Sequence, residues 1–170
     1  MKQDNKILKL VYTFFLGIII ALFIGFGINT FYPSPAEPQI PERLNTLNNT
    51  MSKTPTDEQI TLQNQYDKTR SDFEKNKMNP YNRNVSIISL SAAVILLALS
   101  LFLEKRNIKV ISDGIMMGGL FMLIYSIGRG VASKDNKYMF MAVSVGLITV
   151  VYLGYHRFVD NNTSKKKSKK

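Results

Sequence analysis

Cysteine and tryptophan are absent from this 170-residue chain, and histidine occurs once. Without cysteine there can be no disulfide framework, iron–sulfur cluster or thiolate zinc site. A lone histidine, His156, removes most histidine-based metal and nucleophile constellations within one chain. Without tryptophan, the anchors at a membrane–water boundary have to be Tyr, Phe, Lys and Arg. No glycine-rich phosphate loop, paired-acid site or His-Glu metal motif occurs. The expectation is therefore a protein that is not an enzyme and carries no metal or cofactor. Acids are also scarce, 12 against 22 basic residues, for a net charge of +10. In a soluble protein that excess would suggest nucleic acid. Here its meaning depends on where the charge lies.

Charge is missing locally as well. Residues 10–28, 85–103 and 138–155 contain no charged side chain, and residues 110–127 contain one, Asp113. A mean hydropathy near zero (−0.02) thus averages apolar blocks with polar connections. The first block, LVYTFFLGIIIALFIGFGI, would rise ~28 Å as a helix, close to the hydrocarbon thickness of a bilayer. The basic leader 1–9 resembles the start of a signal peptide. However, the apolar run exceeds the usual 7–15 residues of such a peptide and no A-x-A-like cleavage site follows, so an uncleaved anchor is expected.

These blocks predict an all-α integral membrane protein with four transmembrane helices, at 10–30, 85–103, 110–128 and 138–156. An extracytoplasmic helical loop, 31–84, separates the first two. The other connections are a basic turn at 104–109 and a short loop at 129–137, and a basic tail, 157–170, ends the chain. Four spans put both termini on one side. That side collects 12 basic and three acidic residues, against 10 and eight on the other. The positive-inside rule then makes both termini cytoplasmic, and the expected location is the plasma membrane. Tyr32, Tyr81 and Tyr138 fall at the outer interface, and Tyr12 and Tyr155 at the inner one.

Within the outer segment, four prolines between Pro33 and Pro41 favour an extended stretch. A short amphipathic turn is expected at 42–51, with Leu44, Leu47 and Met51 on one face. Thr54-Pro55-Thr56-Asp57 reads as a helix start with Thr54 as cap and Pro55 at the first position. The helix is expected to continue to about Met78 and to stop at Pro80. Its apolar stripe of Leu62, Tyr66, Thr69 and Phe73 is too thin for a core of its own. It suits coiled-coil-like contact with one other helix, from this chain, a second copy or a partner, and it equally suits a solvated helix held by its ion pairs.

Small residues recur at fourfold spacing: Gly17, Ala21 and Gly25; Gly114 and Gly118; Ala142 and Gly146. Such ridges let membrane helices approach closely. Ser86, Ser89, Ser91 and Ser100 lie in the second block. A serine in lipid bonds to a carbonyl one turn back, so they do not imply a pore.

A carboxylate within a span is costly and often functional. Asp113 falls about one turn from the cytoplasmic boundary. From there it can snorkel, pair with Lys109, meet His156 or Arg157, or serve as a proton or cation site. Small drug/proton antiporters also have four spans, but they carry their acid in the first, and residues 10–28 contain none. The lysine-rich tail, Lys165 to Lys170, suits contact with anionic lipid at ~1 kcal/mol per nearby lysine. An electrostatic tether to RNA is the alternative, but without interleaved aromatics no specific nucleic-acid partner is expected.

The run FFLGIIIALFIGFGINTFYP, residues 14–33, resembles the first helix of small four-span bacterial membrane proteins that share its Gly-Ile-Asn-Thr-Phe-Tyr-Pro exit. The resemblance covers residues 10–33, and the rest only as a four-span plan. It implies no activity and no cofactor, and no functional residue is carried over from it. The expected role is a non-enzymatic accessory, scaffold or interaction component, with the bilayer, itself or another membrane protein as partner. A small oligomeric transporter or channel using Asp113 is the alternative.

Overall fold

The computed structural model describes residues 4–49, 55–106 and 108–160. Lys2 of the leader, Met51, the expected cap Thr54 and the lysine-rich tail lie outside the described residues. Among those described, all regular structure is helical: α1 (Asp4–Phe31), α2 (Glu42–Asn49), α3 (Asp57–Phe73), α4 (Asn79–Lys105), α5 (Lys109–Ala132) and α6 (Asn136–Gly154). Two π-helical turns occur, Glu74–Met78 and Tyr155–Asp160. Among the described residues four helical stretches, one in each of α1, α4, α5 and α6, are long and apolar enough to cross a membrane. The chain divides into two compact units, Ser34–Tyr81 and the remainder.

In the smaller unit α2 packs on α3. Leu44 is buried, and Arg43 Nη2 meets Glu58 Oε1 at 2.6 Å. The cap of α3 is Thr56, whose side chain accepts from the Gln59 N–H at 3.3 Å. The expected helix start is thereby shifted two residues: Pro55 precedes the cap, and Asp57 and Glu58 open the first turn, where acids suit the helix dipole. No residue of α3 is buried, and Leu62, Tyr66 and Phe73 of the expected stripe are half-buried.

Pro80 does not end the helix, contrary to the sequence expectation. Helical backbone continues from α3 through the Glu74–Met78 turn into α4. A proline lacks the N–H for an α-helical bond, and its ring crowds the carbonyl four residues back. The π turn relieves this: the Asn79 N–H bonds to the Glu74 carbonyl five residues earlier, and the wider coil leaves room for the ring.

The larger unit is assembled around α5. Helix α1 runs parallel to it: Gly17 lies against Met117 and Gly118, and Leu16 against Gly114. Helix α4 runs antiparallel, with Leu97 on Gly119, Ser86 bonded to Ser126, and Ser112 bonded to Ser100. Helix α6 is also antiparallel, with Leu123 on Gly146 and Arg157 beside Asp113. Lys9, Lys105, Lys109 and Arg157 therefore gather at one end, here the basic end. Phe31, Asn82, Arg129 and Asn136 gather at the opposite end. The connection between α5 and α6 is shorter than the expected loop 129–137. Only Ser133, Lys134 and Asp135 are non-helical, with Lys134 at a φ of 54° and Asp135 accepting from the Tyr138 N–H at 3.1 Å.

Candidate functional site

Three places in the larger unit concentrate chemistry: a seam of serines and glycines on α5, a charge pair at the basic end, and a groove between α1 and α5.

Three serines and one tyrosine supply the hydroxyls of the seam. Ser86 Oγ donates to the Ser126 carbonyl at 2.7 Å, and Ser126 Oγ returns a bond to the Ser86 carbonyl at 2.8 Å. Tyr138 of α6 adds its hydroxyl, donating to Ser86 Oγ at 2.8 Å, so one buried oxygen joins α4, α5 and α6. Toward the basic end Ser112 Oγ donates to the Ser100 carbonyl at 2.6 Å. Three serines of the second block behave as expected from sequence: Ser89 bonds to the Val85 carbonyl, Ser91 to Ile87 and Ser100 to Leu97, each about one turn back. The interhelical role of Ser86, Ser112 and Ser126 is not visible in spacing. The signal available was that all three share α-helical faces with glycines or other small residues.

The glycines are unequal. A Cβ on Gly17 would come within 2.6 Å of Met117 Cβ, and one on Gly114 within 2.5 Å of Leu16 Cδ2. Gly118 is in contact with Ile20, and Gly119 presses on Leu97. The fourfold ridge on α1 is therefore used at Gly17. At Gly25 a Cβ would meet nothing within 4 Å. Ala142 and Gly146 are both buried, with Gly146 facing Leu123.

Asp113 pairs with Arg157, whose Nη2 donates to Asp113 Oδ1 while Nη1 lies 2.7 Å from Met116 Sδ. Of the partners open to Asp113 in the sequence, the structure selects Arg157. The π turn at the end of α6 carries Arg157 toward α5, and the His156 ring lies instead beside Tyr152, 6.3 Å between centroids. The Arg157 side chain is 17% exposed and that of Asp113 38%. The pair sits at the edge of the bundle, not within it.

The groove has a volume of about 520 Å³. Phe14 and Phe121 meet edge to face at 5.9 Å at one end, Ala21 and Gly25 line α1, and Asn29 and Arg129 stand at the other end. The Arg129 guanidinium is fixed in place. Its Nε donates to the Tyr125 hydroxyl at 3.1 Å, its plane lies 5.5 Å from that ring, and Nη1 donates to Asn82 Oδ1 at 2.8 Å. Nearby, Arg83 and Asp135 approach to 3.7 Å, and Asn84 Nδ2 donates to the Tyr32 hydroxyl at 3.0 Å. Sequence spacing places Arg129 just past the third apolar block, and the groove it faces exists only once α1 and α5 are placed side by side.

No family model, curated protein or solved structure matches the chain.

Proposed function

We propose that the chain is a multi-pass plasma-membrane protein without catalytic activity, an accessory or scaffold whose α3 segment is offered to a partner outside the cell. The basic end is cytoplasmic in this reading, and residues 31–84 are extracytoplasmic. Support for insertion comes from the four long apolar helices and from the alternation of their directions around α5. Support for the orientation comes from the charge excess at the basic end. The affiliation with small four-span bacterial membrane proteins rests on residues 10–33.

The observation that carries the scaffold reading is the pairing of Asp113 with Arg157. A proton- or cation-binding carboxylate has to exchange its ligand within the membrane. Asp113 is held by a fixed cation at the bundle's edge, and the neighbouring seam is closed by serine-to-carbonyl bonds. Such a construction favours a rigid anchor over a conduction path. Helix α3, with no buried residue and a half-buried stripe of Leu62, Tyr66 and Phe73, then supplies the surface for a partner.

The test has two arms. Deleting residues 55–78 removes crosslinked partners from pull-downs in mild detergent if the scaffold reading holds. Asp113→Asn leaves proton-coupled flux in reconstituted vesicles unchanged. Loss of a measurable flux in that variant would instead establish the transporter.

A further inference from the structure

We propose that the groove between α1 and α5 holds one acyl chain of an anionic phospholipid, with the lipid phosphate at the Arg129 end. The proposal rests on the reading of these helices as membrane spans.

The two helices touch at Gly17, where no side chain fits between them, and beside that contact a groove runs along Ile18, Ala21, Leu22 and Gly25. Small residues there would permit close approach, yet the gap stays open. The groove of about 520 Å³ is open along one side, where Leu22 and Phe26 are exposed, so in a bilayer it is filled from the surroundings of the helices. Water is a poor filler, because a water needs two to four polar partners and the floor and walls are carbon. In a bilayer the remaining filler is a lipid tail. From Phe14 to Asn29 the groove extends ~22 Å along α1, against ~15 Å for one leaflet of a ~30 Å hydrocarbon core. A single chain fits with its headgroup at the mouth.

The polar groups converge at one end, as an amphiphile requires. Arg129 places a positive charge at the mouth, with Asn29 facing it from α1. A guanidinium matches phosphate geometry, and one oriented by Tyr125 and Asn82 loses little freedom on binding. The occupant is thus defined by its two parts: a chain for the carbon-lined channel and a net negative headgroup for Arg129.

Native mass spectrometry of the full chain in mild detergent, with phosphatidylglycerol and phosphatidylcholine of identical acyl chains, tests this. Phosphatidylglycerol should be retained about tenfold better: both phosphates can accept from Arg129, but the choline of phosphatidylcholine sets a second cation beside the guanidinium. Arg129→Gln should abolish that preference, and Arg129→Lys should keep part of it. Gly25→Leu fills open space, so it should preserve the melting temperature while losing both lipids. Equal retention of the two lipids by the unaltered chain, or retention unaffected by Gly25→Leu, overturns the proposal. Alkaline carbonate extraction of membranes separates the two readings. A chain released by carbonate refutes membrane insertion itself, whereas an unextracted chain without lipid preference refutes only the groove.

Discussion

Ser86 and Ser126 each donate a side-chain hydroxyl to the other's main-chain carbonyl, at 2.7 and 2.8 Å. The exchange ties α4 to α5 without any charged group, and it uses carbonyls already engaged in helical bonds. Hydrogen bonds between membrane helices average about 0.6 kcal/mol and reach about 1.7. Ser86→Ala and Ser126→Ala should each lower stability by about 1 kcal/mol in mild detergent. The double variant should lose less than the sum, since the two hydroxyls also meet each other at 3.2 Å and either change removes that contact. A double-mutant cycle on melting temperatures measures this coupling.

Gly17 and Gly25 occupy the same face of α1, eight residues apart, yet should respond oppositely. Gly17→Leu drives a side chain into Met117 and Gly118 and should cost about 1–3 kcal/mol by overpacking. Gly25→Leu should leave stability near the unaltered value. Thermal unfolding followed by size-exclusion chromatography distinguishes them.

Arg157→Gln removes the partner of Asp113. Breaking a fully buried ion pair costs roughly 3–5 kcal/mol. With Asp113 more than a third exposed, solvent takes over much of the pairing, so a loss of about 1 kcal/mol is expected. Arg157→Gln combined with Asp113→Asn should be no worse than Arg157→Gln alone.

A single cysteine at Thr61 should react with an impermeant maleimide on intact cells, and one at Arg106 only after permeabilisation. The reverse pattern would invert the proposed orientation.

The helices themselves were legible from the sequence because charge is excluded from their blocks, and this signal is local. Three features were not legible, each for a reason of partner choice. Serine bonds to its own helix or to a neighbour with the same local sequence, so Ser89 was foreseen and Ser126 was not. Fourfold glycine spacing occurs on α1 and α5 alike, and α6 carries its alanine counterpart. Periodicity therefore could not show that α5 is the helix all the others share, or that Gly25 faces a groove. At Pro80 the expected stop assumed an α-helical register, and a π turn supplied another. Asp113 lay between these cases: its possible partners followed from the four-span plan, and the turn at the end of α6 decided among them.

The seam between α1 and α5 joins segments separated by nearly a hundred residues. If these helices span a bilayer as proposed, α1 is made and inserted long before its packing partner, and lipid covers its contact face in the interval. Its uniformly apolar surface, of which only 6% of the most apolar stretch is buried, suits that wait. Helix α5 has the opposite situation. It carries Asp113, Arg129 and four of its glycines at helix contacts, and when it arrives α1 and α4 are already present to receive it. The order of synthesis thus matches the order of self-sufficiency, and assembly is completed when α6 brings Arg157 to Asp113.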